Sequence, residues 1–255
     1  MTATPPLFEP NLQPEAILSP HPPTIENGGS PRYVLCFFHD VLARLHQNGL
    51  LRPVGYVASE MGRNPIYELQ QPGERVLVVH PGVGAPLAVG FLEELIAAGG
   101  QKFIVCGGCG VIDRDIAAGH LVILTSAVRD EGTSYHYLPH SREAFPTPAA
   151  VAALQGVVEG RGLAYRLGKA WTTDAIYRET IQRREQRLAD GCCVVEMEAS
   201  ALFAAAAFRQ VTLGQIVYGG DLVVPDGWDK RAWHERADDR ELLFWLAVEA
   251  VLATP

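Results

Sequence analysis

A chain of 255 residues with 48% hydrophobic and 20% charged positions is long enough for one sizeable α/β core and somewhat short for two. Its formal net charge of −8 argues against nucleic acid or an anionic membrane as the main partner. Five cysteines, an odd number with three in apolar runs, point to a reducing compartment; with no leader pattern and no bilayer-length apolar run, the expectation is a cytoplasmic protein.

In chain order, residues 1–31 are rich in proline (Pro5, Pro6, Pro10, Pro14, Pro20, Pro22, Pro23, Pro31) and end in Asn27-Gly28-Gly29-Ser30. That composition predicts an extended arm, free or laid across a neighbouring subunit. The body, residues 32–255, opens with a strand over Tyr33–Phe38 and a helix over Asp40–Gln47 ended by Asn48-Gly49. Pro65–Leu69 and Arg75–His80 read as a hairpin-like pair around Pro72-Gly73, followed by a helix over Pro86–Ala98. Strands are expected at Lys102–Cys106, Leu121–Ala127, Leu163–Trp171, Cys192–Val195 and Leu213–Tyr218. Helices are expected at Pro148–Glu159, at Tyr177–Ala189, from Glu198 to Arg209 and over Arg231–Leu252. The alternation predicts a single α/β domain with a central mixed, twisted β-sheet flanked by helices.

Chemistry gathers where strands end, the place at which an open α/β sheet binds ligands. Val76–His80 runs into Pro81-Gly82-Val83-Gly84-Ala85-Pro86, a strand, a glycine turn and a helix start. Such a turn permits close backbone approach, and its free N–H groups favour an anion. It is not a dinucleotide fingerprint, because Leu87 holds the third glycine position, and it is not a P-loop; it also reads as a turn with no ligand. Cys106-Gly107-Gly108-Cys109-Gly110 has too many glycines for the helix start a redox C-x-x-C requires and reads as a glycine-lined floor for a flat ligand. Pro139 interrupts His136-x-x-x-His140 and Cys192-Cys193 are adjacent and strand-like, so no metal site is expected.

In Cys192-Cys193-Val194-Val195-Glu196-Met197-Glu198-Ala199-Ser200-Ala201, two carboxylates stand between a buried strand and a buried helix. Burying them is costly unless they are paired, and a ribose cis-diol offers one carboxylate two donors at once. The alternative places both on solvated edges, favouring the helix start. Asp221, behind Gly219-Gly220 at the end of the strand Leu213–Tyr218, is either an acid whose pKa burial raises or an Asx-turn residue.

These segments, together with Glu93-Glu94-Leu95, Gly119-His120-Leu121-Val122 and Thr173-Asp174-Ala175-Ile176-Tyr177, resemble the nucleoside phosphorylase family of purine and uridine phosphorylases and their nucleosidase relatives. The similarity runs from about residue 74 to 225, and Glu196-Met197-Glu198-Ala199 is its most specific part. It implies ribose binding by Met197 and Glu198, and base binding by Ile176, Tyr177, Glu196 and Gly108. It implies protonation of a leaving purine at N7 by Asp221, and a nucleophile near Gly82, Gly84, Gly107 and Gly108. Inorganic phosphate would be the co-substrate with no further cofactor, in a homo-oligomer (dimer or hexamer).

Departures from the pattern fall at the nucleophile. The family's G-D-P-x-R loop is replaced by Phe37-Phe38-His39-Asp40-Val41, its strand arginine by Val105 and its hydroxyl by Gly108. A phosphate dianion needs several charge-assisted donors. Arg63, as a residue lent to a neighbour, and Arg129 are the candidate replacements. Thr180 and Gln182 stand near the uracil-reading positions, which tilts the expectation toward a purine-type base. Two alternatives follow: a nucleoside hydrolase with Asp40 or His39 activating water, and a non-catalytic nucleoside-binding protein.

Overall fold

The computed structural model describes residues 5–9, 13 and 15–255. Eleven strands make one mixed sheet: β1 (Arg32–Cys36), β2 (Leu51–Ser59), β3 (Gly62–Leu69), β4 (Leu77–Val79), β5 (Lys102–Val111), β6 (Leu121–Asp130), β7 (Glu143–Ala144), β8 (Tyr165–Thr173), β9 (Cys192–Glu196), β10 (Thr212–Val224) and β11 (Gly227–Asp229). Six helices flank it: α1 (His39–Gln47), α2 (Ala85–Ala97), α3 (Pro148–Gly160), α4 (Ile181–Ala189), α5 (Ala199–Arg209) and α6 (Ala237–Ala253). Tyr33 and Leu35 of β1 pack in the core that holds α2 and α5, whereas Val34 and Cys36 pack in the core that holds α1, α3 and α6. Burial on both faces explains why the central strands read as continuous apolar runs. Among the described residues, no helix is long and apolar enough to cross a membrane.

The expected mixed sheet is present, and part of it closes on itself. β10 pairs with β5 in parallel and with β6 antiparallel, and the β6–β8, β8–β9 and β9–β5 pairings complete a ring of five strands. The closing strands are longer than expected because their glycines lie inside them: β5 runs on through Gly107–Gly110, and β10 through Gly219-Gly220. A bulge between Gly219 and Leu222 bends β10, as ring closure requires. Beyond Cys106 the chain of β5 parts from β1 and takes β9 as its neighbour, opening a space beside Phe37 and Phe38.

Other boundaries shift for local reasons. β2 was not expected, since Pro53 and a bulge between Pro53 and Gly55 break its alternation. The helix expected from Tyr177 begins at Ile181, because Thr180 Oγ1 accepts the Arg183 N–H as its N-cap, and Ile176–Arg178 form a 3₁₀ turn instead. The helix expected from Arg231 begins at Ala237, because Arg231 and Ala232 take left-handed backbone (φ 47° and 50°). In the arm, residues 1–4, 10–12 and 14 lie outside the described residues. Its last stretch docks on its own chain: Ile25 bridges Gly55, and the Arg75 guanidinium donates to the carbonyls of Glu26, Asn27, Gly28 and Gly29.

Candidate active site

A cavity of about 670 Å³ opens where β5 parts from β1. Gly107–Gly110 of β5 line it, with Phe37 and Phe38 after β1, Val195–Glu198 at the β9–α5 junction, and Gly220, Asp221 and Val223 on β10. Ile176, Tyr177 and Glu179 border it from the segment before α4, and Trp228, Trp233 and Arg240 from the C-terminal region.

Glu196 and Glu198 are 8% and 6% exposed, which sets aside the solvated-edge alternative. Their backbone explains their different tasks. Glu196, the last residue of β9, turns its carboxylate onto the start of α5: Oε2 accepts the N–H groups of Glu198 (2.8 Å) and Ala199 (2.6 Å), and Oε1 accepts the Thr172 hydroxyl (2.5 Å). It satisfies orphan donors of the helix N-terminus, a framing role beside its place on the lining. Glu198 Oε1 accepts the Gly84 N–H at 2.6 Å and Oε2 accepts the Met197 N–H at 3.3 Å. These two donors hold the carboxyl but leave acceptor capacity for a ligand. Burial pushes both carboxyls upward, and the charge of Glu196 adds to the effect at Glu198.

The glycine turn therefore serves Glu198 rather than lying open to an anion. Gly84, with φ +90°, caps α2 and points its N–H at the carboxylate. Gly82, with φ +80°, donates to His80 Nδ1 at 3.1 Å. Val83 between them reaches the cavity; Gly82 and Gly84 are not on its lining. Gly107 and Gly108 are: a Cβ at the buried Gly107 would meet Phe37 at 3.1 Å, and one at the exposed Gly108 would meet Tyr218 at 3.3 Å.

Asp221 lines the cavity from inside β10 rather than beyond its end, which removes the Asx-turn alternative. It is half-buried, and its Oδ2 accepts the Trp228 indole N–H at 2.6 Å. Ile176, Tyr177 and Met197 also line the cavity, with Tyr177 94% exposed at its mouth.

The residues proposed for the nucleophile are dispersed. Asp40 is an exposed ion-pair partner of Arg240 (2.8 Å) and is off the lining, as is His39. Arg63 lies on the β2–β3 hairpin with its guanidinium 4.1 Å over the Tyr56 ring. Arg129 is corrected to a structural role, since it donates to Ser134 Oγ, the Leu138 and Pro139 carbonyls and Ser141 Oγ, away from the cavity. Among the described lining residues Arg240 is the one Lys or Arg, and it lies over the Phe38 ring at 4.9 Å.

Sequence reasoning missed Glu179, Trp228, Trp233 and Arg240. Glu179 was within reach, two residues after Tyr177; the two tryptophans and Arg240 carried no local signal. The described residues hold no cluster of His, Cys, Asp or Glu suited to a metal ion. Cys106 and Cys109 both lie in β5 with thiols pushed well upward by burial, a setting for inert rather than redox cysteines.

A family profile described as the phosphorylase superfamily matches residues 31–243. Guanosine phosphorylase from Halorubrum lacusprofundi is 31% identical over 152 residues, 59% of this chain and 63% of that protein, so the match spans less than two thirds of that relative. Uridine phosphorylase from Treponema pallidum is 33% identical over 189 residues, 69% of this chain and 72% of that protein. Purine nucleoside phosphorylase from Toxoplasma gondii, solved with immucillin-H, shares the fold at a TM-score of 0.74, with 20% identity over 88% of this chain and 91% of that one.

Proposed function

The chain belongs to the phosphorylase superfamily, and we propose that it cleaves the N-glycosidic bond of a nucleoside with a purine-type base, inorganic phosphate being the acceptor. The observation that carries this reading is Glu198, a carboxyl buried at the wall of a nucleoside-sized cavity and held by two backbone N–H groups. It accepts the 2′ and 3′ hydroxyls of the sugar, and Met197 packs beside it. As the C1′–N bond lengthens, its electron pair moves onto the base and positive charge develops on the sugar, which a nearby carboxylate stabilises. The base needs a proton to leave as a neutral ring, and Asp221 and Glu179 are the acids available on the lining. A phosphate oxygen then bonds to C1′, giving a pentose 1-phosphate.

A second reading, hydrolysis, is favoured by one observation: Arg240, the one Lys or Arg among the described lining residues, is already paired with Asp40. In phosphorolysis a neighbouring subunit supplies the missing charge, and Arg63 on its exposed hairpin is the residue we place in that role, within a dimer or hexamer. The free, buried cysteines fit a cytoplasmic location. Incubating the protein with purine and pyrimidine nucleosides, with and without phosphate, tests the reading by release of free base. Purine release that requires phosphate is expected; phosphate-independent release selects the hydrolase, and binding without release selects a non-catalytic nucleoside-binding protein.

A further inference from the structure

Glu179 and Asp221 reach one cavity from different elements, the turn before α4 and the C-terminal part of β10, and the structure treats them differently. Asp221 is held: Trp228 on β11 donates its indole N–H to Oδ2 at 2.6 Å, which fixes the carboxyl and occupies it as an acceptor. Glu179 is half-buried and makes no side-chain hydrogen bond or ion pair with any described residue. We infer that Glu179 is the acid that protonates the departing base and that Asp221, held by Trp228, is its neighbouring carboxyl, an assignment that rests on the glycosidic cleavage proposed above.

Two carboxyls sharing a site do not both ionise readily, and the one lacking donors keeps the proton. Burial, with the Asp221 charge second, pushes Glu179 up to about 7. A general acid works best with a proton affinity near the ambient pH. The other charged groups on the lining are committed elsewhere: Glu196 to the start of α5, Glu198 to Gly84 and Met197, and Arg240 to Asp40. In the step itself the Glu179 O–H bond breaks and an N–H bond forms on a ring nitrogen of the base. The electron pair of the C1′–N bond passes to the base, and C1′ accepts a pair from the acceptor oxygen. Glu179 is left as a carboxylate and regains its proton from solvent.

The test compares wild type, Glu179→Gln and Asp221→Asn on inosine and on a nitrophenyl riboside, whose leaving group needs no proton. Glu179→Gln should lose about 10²–10⁴-fold on inosine and less than about fivefold on the nitrophenyl substrate. It should also lose the fall in kcat/KM toward alkaline pH, whereas Asp221→Asn should keep that fall and move it to lower pH by removing a neighbouring negative charge. Equal losses on both substrates for Glu179→Gln would overturn the assignment. A pH limb that survives Glu179→Gln but vanishes in Asp221→Asn would return the acid role to Asp221. Infrared difference spectra of wild type against Glu179→Gln, taken without substrate near neutral pH, give a reading independent of turnover. A protonated-carboxyl band lost in the variant supports the inference, and its absence from wild type contradicts it; cleavage of neither substrate by wild type, by contrast, removes the glycosidic reading itself.

Discussion

In the proposed reaction Glu198 connects local backbone geometry to substrate recognition. Its oxygens accept from Gly84, far away in sequence, and from Met197 beside it, so the carboxyl is fixed before a sugar arrives. Glu198→Gln keeps the shape and removes the charge. Since a hydrogen bond to a charged group is worth about 1.5–3 kcal/mol, and in the proposed role this one also positions the sugar, kcat/KM should fall roughly 10²-fold or more. An unchanged rate in a folded variant would remove Glu198 from the site. Glu179 supplies a second residue-scale test. Its pKa in the folded chain, about 7, lies above the ordinary glutamate value of 4.5, so it contributes stability that is fully present below about 4.5 and lost as pH rises through 7. Glutamine does not titrate. The Tm of Glu179→Gln should therefore gain on wild type between about pH 4.5 and 7, by the equivalent of about 1–3 kcal/mol, and level off above. A constant Tm difference across that range would contradict a raised pKa. Glu198 was legible in the sequence because two acids interrupted an otherwise apolar stretch. Glu179 was not, because in Tyr177-Arg178-Glu179-Thr180 it looks like any charged residue at the start of a surface helix.

At the scale of elements, the turn from β4 to α2 was recognised, but not the purpose of its N–H groups. Pairing of Gly84 with Glu198 joins segments distant in sequence, which no local pattern encodes. Gly82 is required there for two reasons: φ is +80°, and a Cβ would lie 2.4 Å from Leu87 Cδ2. Gly82→Ala should destabilise the fold by about 1–3 kcal/mol, read as a lower urea midpoint, and raise KM for nucleoside as Gly84 is displaced. Wild-type values of both would mean that the turn adapts freely. The extents of β5 and β10 were underestimated because glycine ordinarily ends a strand. Here Gly107 and Gly108 stay in β5 because the rings of Phe37 and Tyr218 occupy the space beside them.

For the whole molecule, alternating strands and helices predicted the mixed sheet and its two covered faces, while closure of five strands into a ring came from the pairing of β10 with both β5 and β6. That pairing is non-local and leaves no periodic trace. Closure brings Asp221 to the same cavity as Glu198 and Glu179. The lining holds Glu179, Glu196, Glu198 and Asp221 against Arg240 alone among the described residues, so the proposed phosphorolysis predicts that cations from another copy complete the site. The chain should sediment as a homo-oligomer, a dimer or a hexamer, and a monomer at concentrations well above those of activity assays would contradict that expectation.

Glycosidic cleavage with phosphate as acceptor is read from the sugar product. Inosine and isotopically labelled phosphate, incubated with the protein, should yield hypoxanthine and a pentose 1-phosphate carrying the label in equal amounts. Free ribose formed at the same rate without phosphate would contradict the acceptor, and intact inosine after prolonged incubation would contradict the reaction.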